Sequence, residues 1–312
     1  MINIPGVTYK NVEKVELTPV GLGAWSFSKL KMLNKCPLQF YLKYVVKAKP
    51  DQPPAISAVT EQGKAAHEIL ELVIKGKSIG DAFRLIKHKY SEILPGTLWS
   101  DGPPDEDGVI HEKGGVGRAE YSITKFREKL DAFEKQNPVK RYITELKIGV
   151  TEAWEPTGFF TYDKEKPDNN VFFRGVIDLT VQLENYDALF LDHKFGPPAI
   201  VGVKNFKDQL DIYKVLFSKG VQRYGNGQSA VHFVRDGEIT MGSITSQHDI
   251  ENTFVNRVRF SIQGAIDGLK ETKYFKHKRG THCQWCDFNA ICKEGTLKEI
   301  ELSSKKYFLE EE

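Results

Sequence analysis

Leu189-Phe190-Leu191-Asp192-His193-Lys194 is the stretch that decides the predicted fold, because it ends an apolar segment with charged residues. It belongs to a predicted strand, Ala188 to Phe195, and successive side chains of a strand point to opposite faces. Asp192 and Lys194 are therefore expected to share a face. Burying an acid in such a position is costly unless it has a partner, so we expect a functional reason for it.

A second acid, Asp178, follows the apolar run Gly175-Val176-Ile177 in the preceding predicted strand, Val171 to Leu183. The polar turn at 184–187 makes the two strands a predicted hairpin. If three loop residues close this hairpin, Asp178 lies directly opposite Asp192, at roughly 5 Å.

Two carboxylates at that separation repel each other. A divalent cation that prefers oxygen ligands, Mg²⁺ or Mn²⁺, is the simplest way to keep both ionised. Lys194 beside them would orient an attacking water or stabilise charge on a scissile phosphate, as in a nuclease. The alternative is a surface hairpin with an ordinary salt bridge between Asp192 and Lys194, which describes most Asp-x-Lys sequences.

Helical and strand patterns alternate along the rest of the chain, which predicts a mixed α/β fold within one domain, residues 1–312. A stretch at 95–119 rich in Gly, Pro and Asp is predicted to be an insertion into a core at 60–220. The predicted helices are N-terminal helices at 26–47 with a new start at Pro37, Glu61 to Lys75, Lys204 to Lys219, and Gln247 to about Lys270. The remaining predicted strands are Tyr142 to Val150, Ser229 to Arg235, and Glu238 to Thr245.

Composition narrows the class of protein. Apolar residues make up 40% and charged residues 28% of the chain, which is typical of soluble globular proteins. No apolar run is long enough to span a bilayer, and the sequence from Met1 lacks a secretion signal, so we expect a cytoplasmic protein without a membrane partner. The net charge of +2 neither favours nor excludes nucleic acid, because basic residues can concentrate in one groove.

The four cysteines are distributed unevenly: Cys36 stands near the start, and Cys283, Cys286 and Cys292 form a C-x2-C-x5-C run near the end. Four thiolates are enough for a [4Fe-4S] cluster or a tetrahedral zinc, and thiolate chemistry alone does not choose between them. Disulfides are the alternative, but they are mainly used by small secreted domains.

Several ordered motifs together resemble the PD-(D/E)XK nuclease superfamily, specifically its RecB-like branch with CRISPR-associated and AddB-type iron-sulfur nucleases. The resemblance implies a restriction-endonuclease-like core, a mixed central sheet flanked by helices. The matching segments are Ser26 to Leu30, Cys36 to Phe40, Gly63-Lys64-Ala65-Ala66-His67, Gly175 to Asp178, Asp192-His193-Lys194, and Gln209-Leu210-Asp211-Ile212-Tyr213.

The resemblance assigns roles to these residues. It implies that His67, Asp178, Asp192 and the backbone carbonyl of His193 ligate the metal, and that Lys194 is the catalytic lysine. A histidine ligand would favour manganese somewhat. The alternative for His67 is an ordinary capped or core histidine on a helix. At the position of His193 the family commonly has small or apolar residues, but this side chain should point away from the site.

Three further residues have open alternatives. Gln209 and Tyr213 match the family's Gln-x-x-x-Tyr helix and share one helix face, where they would contact DNA or support the metal. Their alternative is a solvated glutamine beside a core tyrosine. Glu145 is a candidate site acid, but an exposed strand glutamate is at least as good an interpretation, so we leave it out of the catalytic set.

The cysteine layout resembles the iron-sulfur members of the family, which implies a structural [4Fe-4S] cluster on Cys36, Cys283, Cys286 and Cys292 that joins the N- and C-terminal segments. The adjoining arm, within 270–295, interleaves basic residues with aromatic ones, a composition suited to phosphate contact and base stacking. A solvated charged face is the alternative. The residues of this arm are Lys270, Lys273, Tyr274, Phe275, Lys276, Lys278 and Arg279.

The resulting expectation is a metal-dependent DNA exonuclease acting on single-stranded ends in recombination, repair, processing or phage DNA metabolism. One alternative is a catalytically idle iron-sulfur DNA-binding subunit of a larger recombination or CRISPR adaptation complex, although the intact Lys194 argues against it. Another is a zinc-stabilised binding protein. No Gly-x-x-x-x-Gly-Lys-Ser/Thr motif occurs, so DNA unwinding would require a helicase or recombination partner.

Overall fold

The computed structural model describes residues 7–9, 22–45, 47–50, 58–91, 116–195, 206–234, 237–271, 274–275, 278, 280, 282–283, 286–288 and 300–301. Its helices are α1 (Phe27–Lys35), α2 (Pro37–Phe40), a π-helical turn (Tyr41–Val45), α3 (Ala58–Ile74), α4 (Ile79–Lys89), α5 (Val116–Gln136), a 3₁₀ turn (Pro167–Asn169), α6 (Lys207–Gly220) and α7 (Gln247–Glu271). Its strands are β1 (Val7–Tyr9), β2 (Ala48–Pro50), β3 (Val139–Val150), β4 (Pro156–Thr157), β5 (Phe173–Leu183), β6 (Ala188–Lys194), β7 (Asn226–Phe233), β8 (Glu238–Ser246), β9 (Tyr274–Phe275) and β10 (Ile300–Glu301).

Six strands form a mixed sheet in the order β4-β3-β5-β6-β7-β8. Strands β5 and β6 are antiparallel, β6 and β7 are parallel, and β7 and β8 are antiparallel. Parallel neighbours need a long crossover connection. Helix α6 lies in the connection between β6 and β7. The predicted mixed α/β fold, a central mixed sheet with flanking helices, is confirmed.

The chain divides into two compact units. One comprises Met1–Ala55, Gly149–Arg174 and Val255–Glu312; because it contains all four cysteines, we call it the cysteine unit. The other comprises Ile56–Ile148 and Gly175–Phe254, and we call it the sheet unit. The sheet unit extends past the predicted core end at residue 220. That the chain acts as one nuclease domain stays a prediction.

The hairpin of β5 and β6 has the predicted register. Leu179 pairs with Leu191 and Gln182 with Ala188, and the Leu183 N–H donates to the Asp187 carbonyl at 2.9 Å. Leu179 and Leu191 are both buried in one apolar core with helices α3, α4 and α5. A slip by one residue would move these side chains to the opposite face, so the apolar pattern fixes the register.

Helix α6 covers the opposite face of the same hairpin. The Phe190 and Phe217 rings meet at 5.3 Å between centroids. Gly175 marks a close approach of strand and helix, because a Cβ at this position would lie 2.7 Å from Leu216 Cδ1. The glycine that begins the first acidic motif therefore allows α6 to pack closely on β5.

The start of the cysteine unit also follows the sequence pattern. Ser26 caps α1 by accepting a hydrogen bond from the Lys29 N–H at 3.3 Å, and Pro37 begins α2. Of the predicted insertion, residues 116–119 lie in α5 and the rest lies outside the described residues. Within the described ranges, no helix has both the length and the apolar character needed to cross a bilayer.

Candidate metal and catalytic site

The two aspartates meet at the end of the hairpin in the sheet unit. Asp178 Oδ2 accepts a hydrogen bond from the His193 N–H at 2.7 Å. Asp192 is only 1% exposed, and Lys194 Nζ lies 2.6 Å from its Oδ2. The Lys194 ammonium also lies 5.0 Å from the centre of the Phe206 ring. Asp192 and Lys194 thus share a face, as strand alternation predicts, and the lysine is held beside the buried acid.

Helix α3 brings His67 to the same place. His67 Nε2 lies 3.1 Å from the His193 carbonyl oxygen. Because a carbonyl only accepts, this hydrogen bond requires a proton on Nε2. The other ring nitrogen, Nδ1, faces Glu145 Oε1 at 3.6 Å and Asp178 Oδ2 at 3.8 Å. The predicted carbonyl ligand of His193 therefore holds His67 in this structure.

Glu145 joins this site, although the sequence alone did not separate it from an exposed strand glutamate. It lies within β3 but has a φ of 47°, in the left-handed region that residues other than glycine rarely adopt. His67, Glu145 and Asp178 each offer one ligand atom, and these atoms lie within 4.8 Å of one another. Strained backbone of this kind is concentrated at functional sites.

The three carboxylates of this site carry more negative charge than Lys194 and a protonated His67 together neutralise. Burial, and then the charge of Asp192, raise the pKa of Asp178 to about 7 against the opposing effects of His67, the His193 N–H and Lys194. Burial opposes protonation of His67, but a hydrogen bond to Glu145 and the charges of the three acids outweigh it and raise its pKa. Without a metal, the site is therefore expected to retain protons in place of a cation.

Gln209 and Tyr213 of α6 both contact Asp192. The Gln209 amide donates to Asp192 Oδ1 at 2.9 Å and to the Tyr213 hydroxyl oxygen at 2.6 Å, and the Tyr213 hydroxyl donates to the same Oδ1 at 3.2 Å. Burial and then the charge of Asp192 raise the pKa of Tyr213 well above its usual range, so the phenol remains a donor. The pair therefore orients the Asp192 carboxylate.

The donor set fits a divalent cation. Asp192 is buried, and among the described residues its Oδ2 contacts the Lys194 ammonium alone. Carboxylate oxygens with one imidazole nitrogen suit Mg²⁺ or Mn²⁺, and the nitrogen favours manganese. The second hydrogen bond of His67, to the His193 carbonyl, is the arrangement commonly found for metal-ligating histidines.

A cleft of about 780 Å³ opens the site to solvent. Its walls come from α3 and β3, and both His67 and Glu145 line it. Three lysines, Lys64, Lys75 and Lys147, line the same cleft. Two of the metal-ligand candidates, His67 and Glu145, therefore face solvent across this cleft.

Three of the four cysteines are described, and none of them forms a disulfide. Burial raises the pKa of the Cys286 thiol, and the neighbouring Cys36 and Cys283 sulfurs raise it further. A turn in which the Cys286 N–H donates to the Cys283 carbonyl at 3.2 Å holds the C-terminal pair. The charges of Cys36 and Cys283 thus act on the Cys286 thiol, but among the described residues these three cysteines do not group as closely as His67, Glu145 and Asp178, whose ligand atoms lie within 4.8 Å of one another. Cys292 lies outside the described residues.

The predicted basic arm is described only in part. Tyr274 and Phe275 form β9, which pairs with β10. Lys278 donates to the Asn34 carbonyl at 3.0 Å. The Lys270, Lys273, Lys276 and Arg279 side chains lie outside the described residues, so contact with nucleic acid stays a prediction for this segment.

The solved structures that resemble this one include a candidate exonuclease from Eubacterium rectale, with 10% identity, 98% of this chain and 100% of that chain covered, and a TM-score of 0.46. They also include SSO0001, with 14% identity, 87% and 96% covered, and a TM-score of 0.28. No curated protein matches the sequence. The family model of the PD-(D/E)XK nuclease superfamily matches residues 24–293, which include both acidic motifs and all four cysteines, and the chain belongs to this superfamily.

Proposed function

We propose that this protein is a metal-dependent DNA exonuclease that hydrolyses phosphodiester bonds at single-stranded ends. The observation that supports it most is one site that holds Asp178, the buried Asp192 and Lys194 together with His67. Family membership supports nuclease chemistry. The choice of DNA, of single strands and of ends is our inference.

The residues suited to hold the metal are His67, Glu145, Asp178 and Asp192. A bound divalent ion would supply an activated water and would polarise the scissile phosphate. Within the protein, Gln209 and Tyr213 keep Asp192 in one orientation, and the His193 N–H does the same for Asp178. Such support keeps a ligand set close to its working geometry.

Lys194 is the remaining charged group of this site. Its ammonium is held by Asp192 and lies over the Phe206 ring, so its position is restricted. A fixed positive charge beside the scissile phosphate would stabilise the negative charge that develops during hydrolysis. An idle DNA-binding subunit would not need this lysine, which is why we favour an active enzyme.

The cleft supplies further support for a nucleic-acid substrate. Lys64 pairs with Glu61 and Lys75 with Glu71, whereas Lys147 has no ion-pair partner among the described residues. An exposed lysine near metal-ligand candidates is suited to a substrate phosphate. We therefore infer that the scissile strand runs along the cleft past Lys147.

We also propose that Cys36, Cys283, Cys286 and Cys292 hold a [4Fe-4S] cluster, as in the RecB-like iron-sulfur branch. The support is that three of these cysteines form no disulfide and that the charges of Cys36 and Cys283 act on the Cys286 thiol. Anaerobically purified protein should be brown and contain about four irons per chain with inorganic sulfide. One zinc per chain and no chromophore would contradict this proposal and favour a structural zinc.

The kind of pathway can be inferred from the chemistry. Because the sequence has no nucleotide-hydrolysing motif, an exonuclease of this kind would act on DNA strands that another protein unwinds. We propose DNA recombination, repair or phage DNA processing, in the cytoplasm of a prokaryotic cell, with a helicase or recombination protein as partner. Co-purification with such a partner would support this assignment.

The decisive experiment uses end-labelled linear and circular single-stranded DNA with Mg²⁺ or Mn²⁺ under anaerobic conditions. Linear DNA should be degraded and the circle should survive, with products that report strand polarity. Asp192→Asn should abolish cleavage, whereas Asp168→Asn, which changes an exposed acid of the cysteine unit, should not. Binding without cleavage by the unmutated protein would instead show an idle DNA-binding subunit.

A further inference from the structure

One backbone segment supports two of the proposed metal ligands at once. The His193 N–H donates to Asp178 Oδ2 at 2.7 Å, and the His193 carbonyl accepts from His67 Nε2 at 3.1 Å. Asp178 belongs to β5 and His67 to α3, so the peptide groups of His193 set the separation of ligands from two different elements. Any shift of this strand end would disturb both ligands.

The His193 side chain points to the face of the sheet opposite that of Asp192 and Lys194, where it meets His232 of β7. The two residues are direct partners in the parallel register, and their Nδ1 atoms lie 2.9 Å apart. The His232 ring stacks on Phe126 of α5 at 4.3 Å between centroids, and the His193 ring meets the same phenylalanine edge to face at 5.6 Å. Both histidines are buried, at 3% and 0% exposure.

Core packing does not explain this pair. The two Nδ1 atoms lie 2.9 Å apart, so at least one of them is an unprotonated acceptor and the other donates to it. A single hydrogen bond then joins the two Nδ1 atoms, and both Nε2 atoms have no hydrogen-bond partner among the described residues. A buried donor without a partner costs about 1–3 kcal/mol, a cost that an apolar pair would avoid.

What the pair does provide is a directional bond at the end of β6. We propose that His232 is a positioning residue of the metal site, which acts by holding the His193 imidazole and therefore the two backbone groups that orient Asp178 and His67. This inference rests on the proposed function. His232 touches neither metal nor substrate in this arrangement.

Substitutions at His232 separate the hydrogen bond from the packing. His232→Phe keeps an aromatic ring against Phe126 but removes the bond to His193. His232→Asn loses the ring but keeps a polar atom at the position of Nδ1. We expect the Mn²⁺ Kd, measured by calorimetry, to rise about 10–100-fold for His232→Phe, as is typical for groups that orient metal ligands. For His232→Asn we expect a rise below about threefold.

Two controls accompany these variants. His88→Phe changes an exposed histidine of α4 and should leave the Mn²⁺ Kd unchanged. The Tm of each metal-free variant reports damage to the core. If His232→Phe does not fold, His232→Asn is compared with His232→Ala, because both lack the ring and only the former can bond to His193.

The outcomes distinguish the two proposals. Mn²⁺ binding by His232→Phe as tight as that of the wild type would overturn the positioning role alone. Equal weakening in His232→Phe and His232→Asn, in proportion to their loss of Tm, would also overturn it, since packing would then be responsible. Failure of the wild type itself to bind Mn²⁺ would overturn the proposed function and this inference with it.

Discussion

The carboxylate site and the cysteine site of this chain differ in how their ligands are held in place. The two aspartates belong to one hairpin, and existing hydrogen bonds from His193 and Gln209 already orient them. The cysteines come from opposite ends of the sequence, and within the described ranges the sulfur of Cys283 makes a weak hydrogen bond, 3.9 Å from the Lys278 carbonyl. A local hairpin closes at small entropic cost, whereas a long loop needs a strong bond to close it. We therefore expect the first site to be preformed and the second to depend on its ligand.

The largest effect should come from Lys194→Met, which changes the preformed site without removing a ligand. Cleavage should fall by about 10³-fold or more, because a fixed positive charge beside the phosphate is lost. The Mn²⁺ affinity should be no weaker than that of the wild type, and the chromophore should be unchanged. Single-turnover rates and calorimetry measure the two quantities, and a parallel loss of metal affinity would contradict this separation of roles.

Cys286→Ser should affect the cysteine site and leave the carboxylate site in place. A bond that closes a loop of this length is worth about 5 kcal/mol, and about 1 kcal/mol changes the Tm by 2–4 °C in domains of 150–250 residues. We expect loss of the chromophore and a Tm lower by about 10–20 °C. At a temperature where the variant is folded, its Mn²⁺ Kd should stay within about threefold of the wild type. A large rise in Kd would show that the two sites are not independent.

Glu145→Gln tests whether the acid that the sequence left open belongs to the metal site. The amide removes one negative ligand next to His67, so the Mn²⁺ Kd should rise about tenfold or more. Glu71→Gln is the matched control, since Glu71 lines the same cleft and pairs with Lys75. Equal Kd values for both variants would show that Glu145 is an ordinary strand glutamate and not a metal ligand.

The pH dependence should have opposite signs with and without metal. The Asp178 pKa is about 7 in the folded protein and 3.8 in an unperturbed chain, so the unfolded state binds fewer protons between these values. The metal-free protein should therefore lose stability as the pH rises from about 4 to about 7. Metal binding requires the ionised Asp178 carboxyl and an unprotonated His67 Nδ1, whose pKa is also raised, so the Mn²⁺ Kd should increase by about tenfold or more per pH unit below 7. Melting curves and calorimetry from pH 5.5 to 8 measure both, and a flat Kd would contradict the assignment of Asp178.

Local patterns explain why much of the hairpin and its site was predictable. Alternation fixed the register and placed Asp192 and Lys194 on one face, and helical spacing placed Gln209 and Tyr213 together. The alternative for that pair, a solvated glutamine beside a core tyrosine, does not fit, because the Gln209 amide donates to the buried Asp192 carboxylate. These relations involve residues close in sequence, where the backbone geometry alone decides which side chains meet.

The features that were not predicted depend on contacts between distant segments. His232 meets His193 only because β6 and β7 pair in parallel, and a parallel partner has no local sequence signal. Glu145 reaches the site through an unusual φ that no propensity favours. Helix α5 does contain a signal, since Ile123, Phe126 and Leu130 recur at helical spacing and are buried, but the Gly-rich stretch before it obscures where the helix begins.

The left-handed backbone at Glu145 has a consequence for protein engineering. A residue other than glycine in this conformation costs about 1–2 kcal/mol, and asparagine tolerates it better than glutamate. Glu145→Asn should therefore make the protein more heat-resistant while it weakens Mn²⁺ binding. Selection for thermostability alone would favour such a substitution, and selection for turnover would reverse it. At this one position, directed evolution could not raise heat resistance and turnover with the same substitution.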